Sequence, residues 1–186
     1  MDYLQFYDDE TYLFETVRNK FNKNGYIDAY DFFSIIIWKA NRAKSYIAKK
    51  LLRLGAERKL HTLDDAVKEI TSHFSKPNLS DEEKLSYLLE TWEFYLPMAS
   101  AILTVLFPDE FTIYDYRVCE ELNINQNFAN WKFERLWPAY QEYIQKVKDA
   151  TPAELSLRDK DRYLISRSYH NQLVDDIKNQ FGVRID

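Results

Sequence analysis

The sequence predicts an all-α fold, a single-domain multi-helix bundle that spans residues 1–186. Three observations carry this prediction. The chain has only 3 Gly and 5 Pro, too few for the many tight turns of an all-β domain. Apolar residues recur at steps of three or four in most long stretches, which places them along one side of a helix. The content of 46% hydrophobic and 30% charged residues is typical of a soluble globular domain.

Four helices are predicted in the first half of the chain, at 8–23, 28–54, 62–74 and 80–94. Thr62 and Ser80 stand at helix starts, and an acidic residue follows each of them three positions later, Asp65 and Glu83. This spacing predicts capping boxes, in which the hydroxyl and the carboxylate satisfy the unpaired N–H groups of the first turn. Periodicity alone indicates one unbroken helix over 28–54.

The stretch 97–107 is apolar except for Ser100 and Thr104, which indicates a helix buried on all sides. It is too short to cross a bilayer, which needs ~20 apolar residues. Pro97 suits the first helical position because its missing N–H would have no partner there. After a turn and a short extended piece, Asp115 is predicted as the N-cap of the next helix.

Two further helices are predicted after a polar, asparagine-rich loop at 123–130, namely 131–149 and 156–181. Pro138 lies inside the first and is expected to kink or split it, because it lacks the N–H of the helical ladder. Ser156 is expected to cap the second. The predicted buried side of that helix consists of Ile165, Tyr169, Leu173, Ile177 and Phe181.

Positive charge is concentrated in the segment 39–61, which carries eight Lys and Arg and one Glu in a chain of net charge −5. Five of its residues are spaced 3, 4, 3 and 4 apart and share one flank of a helix: Lys39, Arg42, Tyr46, Lys49 and Arg53. Such a flank can follow the phosphates of a nucleic acid, each contact releasing a counterion. It can equally be a solvated face with snorkelling lysines, and the sequence leaves both interpretations open.

Composition also argues against several classes of protein. The net charge does not suit nonspecific coating of nucleic acid. The single cysteine, Cys119, excludes a disulfide framework and a four-cysteine iron–sulfur cluster. The three histidines lack metal-ligand spacing, so we expect no metal and no cofactor. The acidic start has no apolar core like that of a signal peptide, so we expect a cytoplasmic protein without a membrane anchor.

The run Asp115-Tyr116-Arg117-Val118, preceded by the apolar run Ala99-Ser100-Ala101-Ile102-Leu103, resembles the helix-hairpin-helix DNA glycosylase superfamily. In that family a hairpin leads into a buried helix, and a turn then leads to an Asp-x-His or Asp-x-Arg motif. A second similarity is Phe32-Phe33-Ser34-Ile35-Ile36 followed by Lys39-Ala40-Asn41-Arg42. The resemblance covers 28–122, with 123–186 as C-terminal helices packed on this core. It implies a helix break near Trp38–Asn41, against the unbroken periodicity.

The chain departs from the family pattern at two places. Bifunctional members carry a lysine where Pro97 stands here, so the resemblance implies no Schiff-base nucleophile and no lyase activity. The glycines of the family's hairpin are also missing, and Trp92-Glu93-Phe94-Tyr95-Leu96 takes their place. Glu93 and Tyr95 would hinder the approach of a phosphate to the backbone N–H groups.

The resemblance implies a role for each candidate residue. Asp115 would be the catalytic carboxylate of a monofunctional glycosylase, stabilising positive charge on the sugar or activating a water. Trp38, Trp92 and Tyr95 would line a base pocket. Double-stranded DNA would be held, or its stack filled after a base is flipped out, by Lys39, Asn41, Arg42, Lys49, Arg53 and Arg117.

Two other functions are compatible with the same residues. The protein could be an inactive relative that serves as a nucleic-acid or protein interaction module, with Asp115 only a helix cap. It could also be a generic helical partner-binding protein whose aromatic residues all belong to the core. The sequence does not decide among these functions, and it leaves the oligomeric state open.

Overall fold

The computed structural model describes residues 7–182, and all regular secondary structure among them is helical, which confirms the all-α prediction. The chain divides into two compact units, the first ending at Glu110 and the second beginning at Phe111. This boundary falls inside the stretch 28–122 that the family resemblance groups together. Within the described residues, no helix combines the length and apolar character that a bilayer crossing requires.

The first unit contains six helices and one 3₁₀ turn among its described residues. Helix α1 is continuous over Asp9–Thr11, Tyr12–Val17 and Arg18–Asn24, its middle part being π-helical. Helices α2 and α3 are Ala29–Ala40 and Lys44–Glu57, and α4 is Leu63–His73. Helix α5 runs over Asp81–Ser86 and continues as a π-helix over Tyr87–Thr91. Helix α6 is Leu96–Leu106.

The capping boxes predicted at the starts of α4 and α5 are confirmed. The Thr62 hydroxyl accepts the N–H of Asp65 at 3.0 Å, and the Asp65 carboxylate accepts the N–H of Thr62 at 3.0 Å. Ser80 and Glu83 form the same reciprocal pair. Each box satisfies N–H groups that the helix itself leaves unpaired, and each begins its helix one residue later.

The helix break expected near Trp38–Asn41 is present. Ala40 leaves the helical conformation, with φ −160° and ψ 81°, and a 3₁₀ turn over Asn41–Ala43 separates α2 from α3. Apolar periodicity did not reveal this break, because the face simply continues in α3 with Ile47, Leu51 and Leu54, all buried.

Helix α6 is the buried helix of the first unit, as predicted. Every residue of it except Pro97 is buried. Its two hydroxyl groups are satisfied within the helix, Thr104 donating to the Ser100 carbonyl at 2.7 Å and Ser100 donating to the Pro97 carbonyl at 3.3 Å. Buried hydroxyls that are bonded in this way cost little, so the helix can be enclosed by apolar neighbours.

The second unit contains α7 (Tyr116–Glu121), a 3₁₀ segment (Gln126–Asn130), α8 (Phe133–Asp149) and α9 (Leu157–Lys178). Before α7 the chain is extended, and two buried tyrosines of α8 hold it. The Tyr140 hydroxyl donates to the Thr112 carbonyl at 2.5 Å and the Tyr143 hydroxyl donates to the Ile113 carbonyl at 2.9 Å. These bonds supply partners that an isolated extended segment lacks.

The C-terminal helices differ from the predictions at two points. Pro138 does not split α8, which is continuous over Phe133–Asp149, so of the two expected effects only a kink stays a prediction. The predicted buried side of α9 is largely exposed, at 55% for Tyr169, 54% for Leu173, 59% for Ile177 and 65% for Phe181, and Ile165 is only half-buried. The residues of α9 that are buried are Leu157, Lys160, Asp161 and Leu164. Periodicity located an apolar face correctly, but the helix packs through a different one.

Candidate nucleic-acid interface

The exposed side of α3 carries the predicted basic flank. Tyr46, Lys49 and Arg53 are exposed and lie on one face of the helix, and Arg42 is exposed in the 3₁₀ turn before it. Within the described residues, Arg42 and Lys49 take part in no ion pair. We call Arg42, Tyr46, Lys49, Lys50, Arg53 and Tyr95 the basic face; all six belong to the first unit.

Lys50 is the residue around which this face is built. It is only 8% exposed, and its Nζ lies 5.0 Å from the ring centre of Tyr46 and 5.2 Å from that of Tyr95. The ammonium also donates to the Glu93 carbonyl. No carboxylate of the described residues forms an ion pair with it. A cation is therefore held by neutral groups alone, two π-faces and one carbonyl, and its charge is not cancelled locally.

The two tyrosines that bracket Lys50 present large exposed surfaces, 57% for Tyr46 and 67% for Tyr95. Each ring has the ammonium near one face, which fixes its orientation. Exposed aromatic rings beside uncancelled positive charge are the groups with which proteins stack bases and hold phosphates of nucleic acids. Tyr95 thus has the exposure that its predicted contact with a base requires.

The turn between α5 and α6, where the family's hairpin glycines would stand, is fastened to α3. Glu93 has a φ of 54°, the left-handed conformation in which glycine is favoured, so this residue is strained where a hairpin glycine would not be. Its carboxylate accepts from Arg53 at 2.7 Å. Arg53 also pairs with Glu57 at 3.3 Å, so its charge is largely compensated by carboxylates.

Three further predicted site residues, Trp38, Lys39 and Asn41, lie at the break between α2 and α3. Asn41 is exposed, and its side-chain oxygen accepts from Lys44 Nζ at 2.7 Å. Lys39 is half-buried. Trp38 is half-buried as well and packs edge-on against Phe14 of α1, with ring centres 5.9 Å apart. Trp38 therefore has only part of its ring surface accessible.

Trp92 occupies the core of the first unit. Its side chain is fully buried, and the guanidinium of Arg58 covers its ring at 4.9 Å. Arg58 is held there by bonds to the Leu54 carbonyl at 2.7 Å and the Thr91 carbonyl at 3.0 Å. A base could reach the Trp92 ring only if this part of the core opened.

Asp115 and Arg117 belong to the second unit. Asp115 is the N-cap of α7 as predicted, its Oδ1 accepting the N–H of Arg117 at 3.0 Å. Its own N–H donates to the Tyr143 hydroxyl at 3.4 Å, and its side chain is half-buried. The carboxylate thus sits at the start of α7 and remains partly accessible to solvent.

Arg117 is bound to α9 rather than extended into solvent. Its Nη1 donates to Gln172 Oε1 at 2.6 Å, and its guanidinium stacks at 4.6 Å from the ring centre of Tyr169. A phosphate contact by Arg117 would have to exchange with these two partners.

Open hollows among the described residues include two that the sequence did not indicate. One, of about 210 Å³, lies in the first unit beside Tyr12, Tyr30 and Ile37. The other, of about 200 Å³, lies in the second unit beside Asn125, Trp131 and Lys146. Neither is lined by a predicted site residue. In the described part of the chain, no group of three or more His, Cys, Asp or Glu side chains is arranged to hold a metal ion.

The sequence predicted Arg42, Lys49 and Arg53 as site residues. It did not indicate that Lys50 and Glu93 also belong to the site. Lys50 follows Tyr46 by four residues, so their contact is a local helical one that the spacing could have revealed. The contacts with Glu93 and Tyr95 join residues more than 40 positions apart, and no local pattern records them.

Comparisons of the chain with protein-family models, with curated proteins and with solved structures gave no match in any of the three. The resemblance to the helix-hairpin-helix glycosylases therefore stands on the quoted residues alone.

Proposed function

We propose that this protein binds nucleic acid through the basic face of its first unit, with double-stranded DNA as the partner that the family resemblance favours. The observation that carries the proposal is the Tyr46–Lys50–Tyr95 group. A solvated helix face would place its lysines in water, and would not bury one of them between two exposed rings.

The energetics of Lys50 support a ligand with negative charge. Taking a cation out of water is costly unless an opposite charge or strong hydrogen bonds compensate it. Here one carbonyl and two π-faces provide the compensation, and the neighbouring Lys49 and Arg42 add positive potential. A phosphate at this surface would receive attraction from all three cations, while an adjacent base could stack on Tyr46 or Tyr95.

Charge reversal on the basic face tests this proposal. We expect the double substitution Arg42→Glu, Lys49→Glu to weaken binding of a fluorescent DNA duplex at low salt by at least about tenfold, since two phosphate contacts become repulsions. Neither side chain has an ion pair to lose within the described residues, so the fold should be unaffected. Fluorescence anisotropy gives the affinity and thermal unfolding checks the fold.

The matched control is the double substitution Lys132→Glu, Lys148→Glu, which changes two exposed lysines at the start and end of α8 in the second unit. This control has the same net charge as the double variant of the basic face but leaves that face intact, so it should bind like the wild type. Equal weakening by both would mean that only total charge matters. Absence of binding by the wild type to duplex or single-stranded DNA at low salt would overturn the proposal.

We further propose, as the finer function, that the protein is a monofunctional DNA glycosylase with Asp115 as its carboxylate. The observation that favours this is a partly accessible acid held at the start of α7, with one oxygen fixed by the Arg117 N–H. A carboxylate held in a fixed position can stabilise the positive charge that develops on the sugar as the base leaves, and this chemistry needs no lysine.

The substitution Asp115→Asn separates catalysis from capping. Asn is about as good an N-cap as Asp, so the variant should unfold within about 0.5 kcal/mol of the wild type. It carries no charge, so base release should fall by at least ~10²-fold. The assay uses a panel of DNA duplexes that each contain one damaged or modified base. If the wild type releases no base from any of them, the glycosylase proposal fails while the binding proposal stands on its own test.

A further inference from the structure

Helix α9 presents a row of exposed apolar side chains, and Arg117 of α7 stacks on one of them, Tyr169, at 4.6 Å from the ring centre. Tyr169, Leu173 and Ile177 are 55%, 54% and 59% exposed. At about 100° per residue they span an arc of ~80°. The buried residues Leu157, Lys160, Asp161 and Leu164 lie on roughly the opposite side of the helix. We call Tyr169, Leu173 and Ile177, together with the half-buried Ile165 at their edge, the α9 stripe.

The size of the stripe marks it as a contact surface. Aromatic and large aliphatic side chains that are more than half exposed leave an apolar patch of roughly 400 Å², the size that on monomeric proteins is often functional. A stable interface buries ~800 Å² on each partner. The stripe therefore suits a weak, reversible association rather than a permanent one.

Charges at the two ends of the stripe indicate which partner it fits. Arg162 and Asp176 lie on the same face as Tyr169, within about 20° of it on either side and seven residues away in each direction. Arg162 pairs with Asp159 of its own helix at 3.1 Å, in an exposed contact that can be exchanged at little cost. The stripe thus has a positive end, an aromatic centre and a negative end.

We propose that the α9 stripe is a homodimer contact, in which two copies of this chain pair their α9 helices antiparallel and cross at Tyr169. In that arrangement Arg162 of each copy meets Asp176 of the other, and Ile165 meets Leu173. A parallel pairing would place like charges together at both ends. The pattern is self-complementary about a twofold axis, the symmetry of most dimers.

Sedimentation equilibrium over a range of protein concentrations, up to about 1 mM, tests the association, since contacts of this size give micromolar or weaker affinity. We expect reversible dimerisation by the wild type and at least a tenfold loss with Leu173→Asp, which places a carboxylate in the apolar contact. Arg162→Glu and Asp176→Arg should each weaken the dimer, and together they should restore it. A wild type that stays monomeric throughout, or a double variant weaker than both single ones, would overturn the proposal.

Disulfide trapping tests the crossing point and direction. The native Cys119 is buried, and burial raises the pKa of its thiol to about 11, so it should not react. Tyr169→Cys should then form a covalent dimer under mild oxidation. Lys178→Cys, equally on α9 and exposed, should not, because antiparallel copies crossing at Tyr169 hold the two 178 positions ~27 Å apart. Trapping at 178 and not at 169 would contradict the antiparallel dimer.

Discussion

The protonation of His73 is controlled by its neighbours at the end of α4. Its ring stacks on Tyr87 with centres 3.6 Å apart and planes 5° apart, and Lys76 Nζ lies 3.0 Å from its Nδ1. Burial lowers the pKa of His73 below its usual 6.5, and the positive charge of Lys76 lowers it further. Glu69 and Glu83 act in the opposite direction with smaller effect. The folded chain therefore favours the neutral imidazole.

This shift predicts a loss of stability as the pH falls. The unfolded chain takes up the proton near the usual pKa of 6.5, whereas folded His73 takes it up only at lower pH. The stabilisation that neutral His73 gives the folded chain is thus fully present above pH 6.5. It is lost as the pH falls through the pKa of His73 in the folded chain. Urea unfolding at about pH 7.5 and about pH 5.5, a window in which histidine is the side chain that usually titrates, should show a smaller decrease for His73→Gln than for the wild type. An equal decrease in both would assign it to other groups.

Single residues also show which structural features local sequence patterns predict and which they do not. The N-cap role of Asp115 was predictable because a cap and its N–H partner lie two or three residues apart. The burial of Trp92 beneath Arg58 was not predictable, since it joins the end of α3 to the end of α5, two segments far apart in the sequence. An aromatic residue near a motif is as easily a core residue as a ligand contact, and only the packing distinguishes them.

At the scale of elements, helix starts were predicted more accurately than helix faces. Thr62, Ser80 and Ser156 each begin a helix as expected, because the capping bond is made within four residues. The face of α9 was assigned wrongly because that helix has apolar residues on two opposite sides, and periodicity does not say which side meets the rest of the unit. A face that is apolar but exposed needs another explanation, and the dimer proposed above supplies one.

Pro138 in α8 likewise shows that packing can outweigh a local sequence signal. A proline removes one N–H from the ladder, but the helix continues because its apolar side, with Leu136, Tyr140 and Tyr143 buried, is anchored on both sides of the proline. Tyr140 and Tyr143 also hold the extended chain at 112–113 through their hydroxyls. Packing of an amphipathic face outweighs a local propensity when enough contacts depend on the helix staying whole.

At the scale of the whole molecule, charge is segregated along the chain. Between residues 39 and 59 the net charge is +7, while the full chain carries −5, so the remainder carries −12. If the protein binds nucleic acid as proposed, the acidic remainder would repel the ligand at long range and the basic face would attract it at short range. Binding would then be limited to that face, without general coating of the nucleic acid.

This distribution of charge predicts that the DNA affinity falls with salt concentration, with a slope set by the small number of phosphate contacts on the basic face. If Arg42, Lys49 and Lys50 each contact a phosphate, log K should fall against log salt with a slope of about −2.7, which is about 40-fold between 50 and 200 mM. Replacing Arg42 and Lys49 by Gln should reduce the slope to about −0.9, because only the Lys50 contact remains. Anisotropy titrations of a DNA duplex at four salt concentrations measure both slopes. A wild-type slope near zero would mean that the tyrosines bind without phosphate contacts, and an unchanged slope in the variant would place those contacts elsewhere on the molecule.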